Sequence, residues 1–240
     1  MRNDLDLPFF FGPDDGLFGM YHAPALTARR AVLMCPPLGQ DLIRCHRLYR
    51  QLAQALAAQG VAVLRFDYHG TGDAAGDSGE VDWARCVADT VAATAELRAR
   101  AGVDRVVAFG ARLGGSVALS ASAQARFSEV IAWDAVLDGA GYVAALDAMQ
   151  AALREDAERF TRPRSEADVA EQWLGFDIGD RLRHQLAALR VPTAGVPTLL
   201  LESSSTLGQP TPWNDLRRLE TAILSQPLIQ AVTGRLKEMA

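Results

Sequence analysis

An arginine stands where a strand, a sharp turn and a helix meet in the sequence. The apolar run 106–109 leads into Gly110-Ala-Arg112-Leu-Gly114, and an Ala/Ser-rich helical pattern follows. Small residues two positions before and after a central residue let a strand and a helix approach closely, in a turn that can present a nucleophile. A guanidinium stays protonated and has no lone pair to offer a carbonyl. The sequence therefore predicts a nucleophile-presenting turn without its nucleophile.

Arg112 has two alternative roles in this turn. Backbone N–H groups of Leu38 and Leu113 are expected to converge beside it, as in an oxyanion hole. Together with the N-terminus of the following helix, they would make a pocket for a carboxylate, a phosphate or an acyl ligand. Alternatively, Arg112 forms an ion pair and fills an inactive cleft. The partners expected at neighbouring strand ends are Asp67, Asp134 and Asp138.

Two other side chains are weak candidates for a rebuilt nucleophile. Cys35 ends an apolar strand, and the candidates for a base beside it are His46 and His69. Ser116 lies one helical turn beyond Arg112. Each residue also has a purely structural interpretation, because Cys35 suits a buried apolar position and Ser116 is small enough for close packing. Both interpretations remain open at the level of sequence.

Regular alternation of strand and helix patterns predicts the elements that position these residues. Two short apolar runs, 5–11 and 17–21, flank a Gly/Pro-rich turn and predict a β-hairpin. Buried strands are then expected at 31–35, 61–66, 106–109, 130–133 and 198–201, with helices between most of them, including one over 82–100 that presents Val87, Val91 and Ala95 on one face. Such alternation favours a mostly parallel sheet covered on both faces, in a single α/β domain over residues 1–240.

The alternation breaks between the predicted strands at 130–133 and 198–201. Residues 142–195 are charged and helical in pattern, with interruptions at Pro163 and Gly175. We expect this stretch to form a helical lid insertion above the carboxyl edge of the sheet. Its apolar side chains are expected to cover the cleft or to face a protein partner; they are Tyr142, Met149, Leu153, Phe160, Trp173 and Phe176. Residues 220–224 are the candidate for a last strand, before a helix opened by Pro227.

Three motifs occur in the order found in a known superfamily. They are Cys35-Pro36-Pro37, then Asp67-x-x-Gly70-Thr71-Gly72-Asp73 with Gly76-Asp77-Ser78-Gly79, and then Gly110-x-Arg112-Leu113-Gly114. On these motifs, residues 8 to about 142 resemble the serine-aminopeptidase-like branch of the α/β-hydrolase superfamily. Within that branch they resemble hydrolase-like proteins associated with exosortase A systems. The resemblance implies an α/β-hydrolase fold and an ancestral acyl-transfer chemistry.

The catalytic triad that the resemblance implies is incomplete here. The serine position falls on Arg112, and the acid position after strand 198–201 offers Glu202. The family's histidine follows a last strand, but this sequence has no histidine beyond His184. The chain order serine, acid, histidine therefore cannot be met. Conventional serine hydrolase activity is not expected.

Composition excludes several other functions. The net charge is −5 and the sequence has no basic cluster, so no nucleic-acid partner is expected. No apolar run is long enough for a membrane span and the N-terminus does not read as a signal peptide, which together with three unpaired cysteines favours a cytoplasmic location. The acidic turn 70–79 lacks the spacing of a phosphate loop or a calcium loop, so we expect neither a cofactor nor a metal.

The sequence thus predicts an α/β-hydrolase-fold protein with a degenerate triad. We expect a non-catalytic binding or accessory protein, with an acyl or anionic small molecule or a protein as its partner. A link to exopolysaccharide or exosortase systems follows only from the resemblance. The alternative is an ester or thioester hydrolase that uses a rebuilt site at Cys35 or Ser116.

Overall fold

The computed structural model describes residues 6–160, 162, 165 and 171–238. Nine strands occur in these ranges: β1 (Asp6–Phe11), β2 (Leu17–His22), β3 (Ala31–Cys35), β4 (Ala62–Asp67), β5 (Val106–Ala111), β6 (Glu129–Trp133), β7 (Gln172–Trp173), β8 (Phe176–Asp177) and β9 (Thr198–Leu201). Seven of them form one sheet in the order β1-β2-β4-β3-β5-β6-β9, and β7 and β8 pair separately. The hairpin β1–β2 is antiparallel and the strands from β4 to β9 in the sheet run parallel.

Helices cover both faces of the large sheet, as predicted. They are α1 (Gln40–Ala58), α2 (Trp83–Ala101), α3 (Leu113–Ala125), α4 (Gly139–Arg154), α5 (Asp180–Ala187) and α6 (Gln226–Glu238). Apolar side chains of α2, α3 and α5 form one core cluster with the sheet, and those of α1 and α6 form a second cluster on the other face. Because both faces are buried, the central strands are apolar throughout: every residue of β3, β5 and β6 is buried. This architecture is the predicted α/β-hydrolase fold.

The buried face of α2 differs from the one predicted from its valines. Ala95 is exposed and Val87 is only half-buried, whereas Thr90 and Thr94 are fully buried. The hydroxyls of these threonines donate to the carbonyls of the residues four positions earlier, at 2.8 and 2.6 Å. Their polar atoms are therefore satisfied within the helix, so the threonines can be buried at little cost.

The lid segment, residues 142–195, is only partly helical. It contains most of α4 and all of α5, but a short hairpin, β7–β8, lies between them where a helical pattern was expected. Gly175 lies in the tight turn of this hairpin, with a φ of 92°. A glycine adopts positive φ without steric cost, so the interruption at Gly175 marks a hairpin turn and not a break between helices. The predicted interruption at Pro163 lies outside the described residues.

The prediction of a last strand at 220–224 was wrong. Residues 216–218 form a short 3₁₀ turn and the following residues have no strand partner in the described structure. Ile223 is buried against α1, and its N–H donates to the carbonyl of Arg44 at 2.8 Å. The backbone of this segment is thus bonded to a helix, and β9 is an edge of the described sheet. Within the described ranges, no helix combines the length and apolarity needed to cross a bilayer.

Candidate functional site

Arg112 occupies the tight turn between β5 and α3. Its backbone has φ 52° and ψ −127°, a conformation that costs a non-glycine residue about 1–3 kcal/mol. The turn is closed by the N–H of Arg112, which donates to the carbonyl of Trp133 at 2.9 Å. A Cβ atom on Gly114 would lie 2.3 Å from the carbonyl oxygen of Cys35, so only glycine lets α3 begin this close to β3. The turn geometry predicted from the sequence is therefore present, with a guanidinium at its apex.

The side chain of Arg112 pairs with Asp41. Its Nε–H donates to Oδ2 of Asp41 at 3.2 Å, and both side chains are largely buried. Asp41 lies in the first turn of α1, directly after the segment that follows β3. Burial raises the pKa of Asp41, and the positive charge of Arg112 opposes that rise. The guanidinium therefore favours the ionised carboxylate at this buried position.

The predicted pairing with Asp67, Asp134 or Asp138 was wrong. Asp67 accepts from the N–H of Asp73, Asp134 accepts from Ser203, and Asp138 caps α4 and pairs with Arg190. The order of the strands explains the true partner. β3 and β5 are neighbours, with Cys35 opposite Gly110, so an acid in the first turn after β3 must lie beside the turn after β5.

Two aromatic rings flank the Arg112 guanidinium. Its central carbon lies 5.3 Å from the ring centroid of Tyr142 and 5.0 Å from that of Trp213, both within the range of cation–π attraction. Trp213 is held in place by Arg44, a buried residue of α1 that donates to the carbonyls of Pro212 and Trp213 at 2.7 and 2.9 Å. Arg112 is thus fixed by one carboxylate and two rings.

A partly enclosed pocket lies beside this cluster. Its free volume is about 40 Å³, which is room for roughly three water molecules. The pocket is lined by Leu38, Gly39, Gln40, Asp41, Arg44, Arg112, Leu113, Tyr142, Leu146, Met149, Trp173, Leu174, Ile178, Leu182, Leu186, Trp213, Asn214 and Leu219. Leu38 and Leu113, the predicted backbone donors, therefore lie beside Arg112. Leu113 is the first residue of α3, so its N–H has no acceptor within the helix.

A second acidic centre, at Asp134, adjoins the pocket, and the sequence did not indicate its partners. Asp134 follows β6 with a φ of 44°, and its Oδ2 accepts from the indole Nε1–H of Trp213 at 2.7 Å. Ser203 donates to the same carboxylate through its N–H at 2.9 Å and through its hydroxyl. The positive φ of an acid at a strand end is a structural signal that the sequence does not show.

The two candidate nucleophiles are fully buried away from any imidazole in the described structure. Burial raises the pKa of the Cys35 thiol to about 12, and its hydrogen-bond partner is Thr90. The hydroxyl of Ser116 lies 2.6 Å from the carbonyl of Val136 and 3.2 Å from that of Arg112, so it ties α3 to the segment after β6. Neither residue lines the pocket at Arg112.

Glu202 and the histidines do not line the pocket at Arg112. Glu202 directly follows β9, as predicted, but it is exposed and accepts from Ser205 at 2.5 Å. His46 is exposed on α1, and His69 faces Glu80 at 3.5 Å. The remaining two, His22 and His184, contact Asp6 and the carbonyl of Asp180. In the described ranges, no group of three or more metal-binding side chains converges.

Several solved structures are similar to this chain in fold. Est1E from Butyrivibrio proteoclasticus aligns at 13% identity over 97% of this chain and 96% of its own, with a TM-score of 0.63. A highly thermostable carboxyl esterase from Bacillus coagulans aligns at 14% identity over 97% of each chain, with a TM-score of 0.59. An α/β serine hydrolase without a lid from Xanthomonas campestris aligns at 22% identity over 55% of this chain and 62% of its own, with a TM-score of 0.47. At these identities the likeness concerns the fold.

The family assignment comes from the sequence itself. No curated protein gives a significant match. The family model described as "Serine aminopeptidase, S33" matches residues 29–166, more than half of the chain, and spans β3 to the end of α4 with the turn at Arg112. On this match and the geometry above, the chain belongs to the serine aminopeptidase S33 family of α/β-hydrolase-fold proteins.

Proposed function

We propose that this chain is a non-catalytic member of its family whose cleft binds a small carboxylate or acyl ligand without turning it over. The observation that carries the proposal is Arg112, which replaces the nucleophile and is held by Asp41, Tyr142 and Trp213. A carboxylate at this point would meet the guanidinium and the N–H groups that begin α3. These are the groups that stabilise a negative charge, whereas a guanidinium at the nucleophile position cannot attack a carbonyl.

The expected loss of turnover follows from how much each catalytic group contributes to the rate. Removing the nucleophile and base of a serine hydrolase costs about a million-fold in turnover, which is roughly 8 kcal/mol of barrier. In this pocket the nucleophile position is Arg112, and no histidine is among the described lining residues. Backbone donors alone would leave roughly 10³-fold acceleration over water. The pocket is therefore better suited to holding an anion than to cleaving an ester.

The rebuilt site at Cys35 or Ser116 receives no support from the geometry. A thiol with a pKa of about 12 is almost entirely protonated at neutral pH, and the thiolate is the reactive form. The Ser116 hydroxyl is engaged with backbone carbonyls and has no base beside it in the described structure. The ester or thioester hydrolase reading remains the second candidate only through family membership.

The hydrogen-bonding capacity left on the Arg112 guanidinium in the described structure supports ligand binding over a purely structural role. Its Nε–H is bonded to Asp41, but among the described residues no acceptor bonds its two terminal nitrogens. Guanidinium nitrogens that face a cavity can form the two parallel hydrogen bonds of an Arg–carboxylate pair. Asp41 then acts as an internal competitor for the same cation.

Binding can be tested with simple carboxylates. Isothermal titration of butyrate and hexanoate should show binding to the wild type and none to Arg112→Ala. Arg47→Ala is the matched control, because Arg47 is an exposed arginine of α1 outside the pocket. Asp41→Asn should bind the acids several-fold more tightly than the wild type, since it removes the competing charge. Equal heats of binding in the wild type and the three variants, or no heat of binding in any of them, would contradict the binding proposal.

Turnover can be tested directly with a fluorophosphonate probe. The wild type should remain unlabelled and inert toward p-nitrophenyl esters and thioesters. Labelling that disappears in Ser116→Ala, or ester turnover that disappears in Cys35→Ser, would instead establish the rebuilt-site hydrolase. Ser120→Ala, on the same helix as Ser116, controls for nonspecific loss of signal.

An accessory role with a protein partner remains part of the proposal. The lid segment and the resemblance to exosortase-associated hydrolase-like proteins motivate a role in an exopolysaccharide system, in the cytoplasm. Co-elution of the purified chain with products of neighbouring genes, without ester turnover, is the expected result. A failure to co-elute with any of them would remove this part and leave ligand binding unaffected.

A further inference from the structure

We infer that the ligand of the Arg112 pocket is an unbranched aliphatic carboxylate and that Leu174 sets the chain length it can take. This inference rests on the binding function proposed above. Charged groups in the pocket lining are confined to Asp41, Arg44 and Arg112. The other walls are mostly aliphatic or aromatic side chains of the lid segment and the 213–219 loop: Leu146, Met149, Trp173, Leu174, Ile178, Leu182, Leu186 and Leu219. A carboxylate head with an apolar tail matches this division.

The pocket adjoins a larger open groove beneath the lid segment. The groove has a volume of about 550 Å³. Its walls combine the apolar Leu153 and Phe160 with charged side chains, Arg154, Glu158, Arg159 and Glu220. Three residues line both spaces: Gln40, Leu174 and Leu219. They form the boundary between the pocket and the groove. An aliphatic chain that extends from the pocket toward the groove would have to pass this boundary.

Leu174 closes the boundary from the lid side. It is 8% exposed and packs with Met149 and Leu219, and its N–H donates to Oε1 of Gln150 at 2.7 Å. From the opposite side, Nε2 of Gln40 donates to the carbonyl of Leu219 at 2.7 Å. The leucine side chain is thus the apolar part of the barrier that a ligand tail would contact.

The backbone of Leu174 is strained at this point. Leu174 and Gly175 are the two central residues of the β7–β8 turn, with φ values of 54° and 92°. Hairpin turns with positive φ at both positions favour Asn or Gly, and a leucine there is unfavourable. Residues kept in such conformations are common at ligand clamps. The turn therefore places a buried leucine at the pocket boundary despite the conformational cost.

A second groove lies on the other side of Arg112. It is separated from the pocket by Arg112 and Trp213, which line both spaces. Its walls include the carboxylates of Asp134 and Glu202 and the hydroxyls of a polar loop, Ser203, Ser204 and Thr211. Burying an aliphatic chain against these groups would remove them from water without replacing their hydrogen bonds. The apolar side chains of the pocket wall, which end at Leu174, offer the tail contacts without this penalty.

Chain-length selectivity tests the inference. Straight-chain acids from acetate to dodecanoate are titrated into the wild type, Leu174→Ala and Leu216→Ala. Leu216 packs against the same cluster as Leu174 but lines neither the pocket nor the groove, so its variant controls for general loosening. In the wild type, Kd should fall about fourfold with each added methylene and then level off. In Leu174→Ala, Kd should continue to fall for at least two more methylenes before it becomes constant. For the longest acids, Kd should be about tenfold lower in Leu174→Ala than in Leu216→Ala.

The possible outcomes separate this inference from the binding proposal. An unchanged length preference in Leu174→Ala, with binding still dependent on Arg112, would overturn the role of Leu174 and leave the binding proposal intact. No binding of any acid to the wild type would overturn both. Leu174→Gly removes the same side chain and relieves the positive-φ strain, so it provides the test if Leu174→Ala does not fold. A branched acid such as pivalate should bind more weakly than pentanoate in every variant.

Discussion

The indole Nε1–H of Trp213 donates to Oδ2 of Asp134 across 2.7 Å. The same ring lies 5.0 Å from the guanidinium carbon of Arg112. In a serine hydrolase an acid orients a histidine, and that histidine contacts the nucleophile. Here Asp134, Trp213 and Arg112 stand in the same sequence of contacts, but indole is a hydrogen-bond donor only and cannot accept a proton. The relay of acid, ring and turn residue is therefore present without a base or a nucleophile.

This arrangement predicts what is needed to create activity. Arg112→Ser alone should remain inactive toward p-nitrophenyl acetate, because a serine without a base is a weak nucleophile. The double variant Arg112→Ser/Trp213→His should hydrolyse the ester measurably above background and react with a fluorophosphonate, because Asp134 would orient the new imidazole. Initial rates measured by release of nitrophenol provide the comparison.

The control removes the acid. Adding Asp134→Asn to the double variant should reduce the new activity by at least about a hundred-fold, since the imidazole then loses the partner that fixes its tautomer. Equal activity with and without Asp134 would show that this carboxylate is not placed to support a histidine. Activity in Arg112→Ser alone would reveal a base at another position.

The fold was predictable because its signals are local and repeated. The apolar runs that became β3, β5 and β6 are buried on both faces, so they contain little besides aliphatic and small residues. The turn at Arg112 was predictable because Gly114 has no space for a side chain beside the carbonyl of Cys35. The hairpin β7–β8 was missed because a strand of two residues is too short to show the alternation of apolar and polar residues that indicates a strand.

The contacts of the site were harder to predict than its position. Arg112 was expected to pair with an acid at a strand end, but its partner Asp41 lies in a helix whose phase relative to the turn depends on tertiary packing. The roles of Asp134 and Trp213 depend on a contact between residues 79 positions apart in the sequence. No local sequence pattern predicts such a contact. Sequence therefore located the unusual residue and the structure supplied its neighbours.

The cysteines should be unreactive in the native protein. All three are buried, and burial raises the pKa of Cys35 to about 12 and those of Cys45 and Cys86 further above the ordinary value for a thiol. Ellman's reagent at pH 8 should therefore release no colour from the folded protein and three equivalents in guanidinium chloride. Rapid reaction of one thiol, lost in Cys35→Ser, would show that Cys35 is accessible and would revive the thiol hydrolase reading.

His22 should make the protein less stable in mild acid. Its side chain is buried, with Nδ1 2.7 Å from Asp6 and Nε2 accepting from Nε of Arg65 at 3.0 Å. Burial lowers its pKa, the charges of Arg65 and Arg50 lower it further, and Asp6 raises it. Below its ordinary pKa of 6.5, the unfolded chain binds a proton that the folded chain does not. The free energy of unfolding should therefore fall as the pH decreases from 7.5 to 5.5.

Urea denaturation at the two pH values measures this effect. His22→Gln should lose part of the pH dependence, whereas His184→Gln should keep all of it, because His184 is exposed on α5. The same decrease in stability in both variants and in the wild type would show that other groups cause the acid sensitivity.

A pair of glycine substitutions tests the packing that creates the turn at Arg112. In Gly114→Ala the new Cβ would lie 2.3 Å from the carbonyl oxygen of Cys35 and 2.5 Å from that of Pro36, and backbone atoms cannot move aside cheaply. We expect the free energy of unfolding to fall by at least about 3 kcal/mol. Gly234→Ala lies inside α6, where the new methyl has open space, and should instead stabilise the protein by about 0.5–1 kcal/mol. Chemical denaturation of both variants decides the matter, since a mild effect of Gly114→Ala would mean that α3 does not begin as close to β3 as the structure places it.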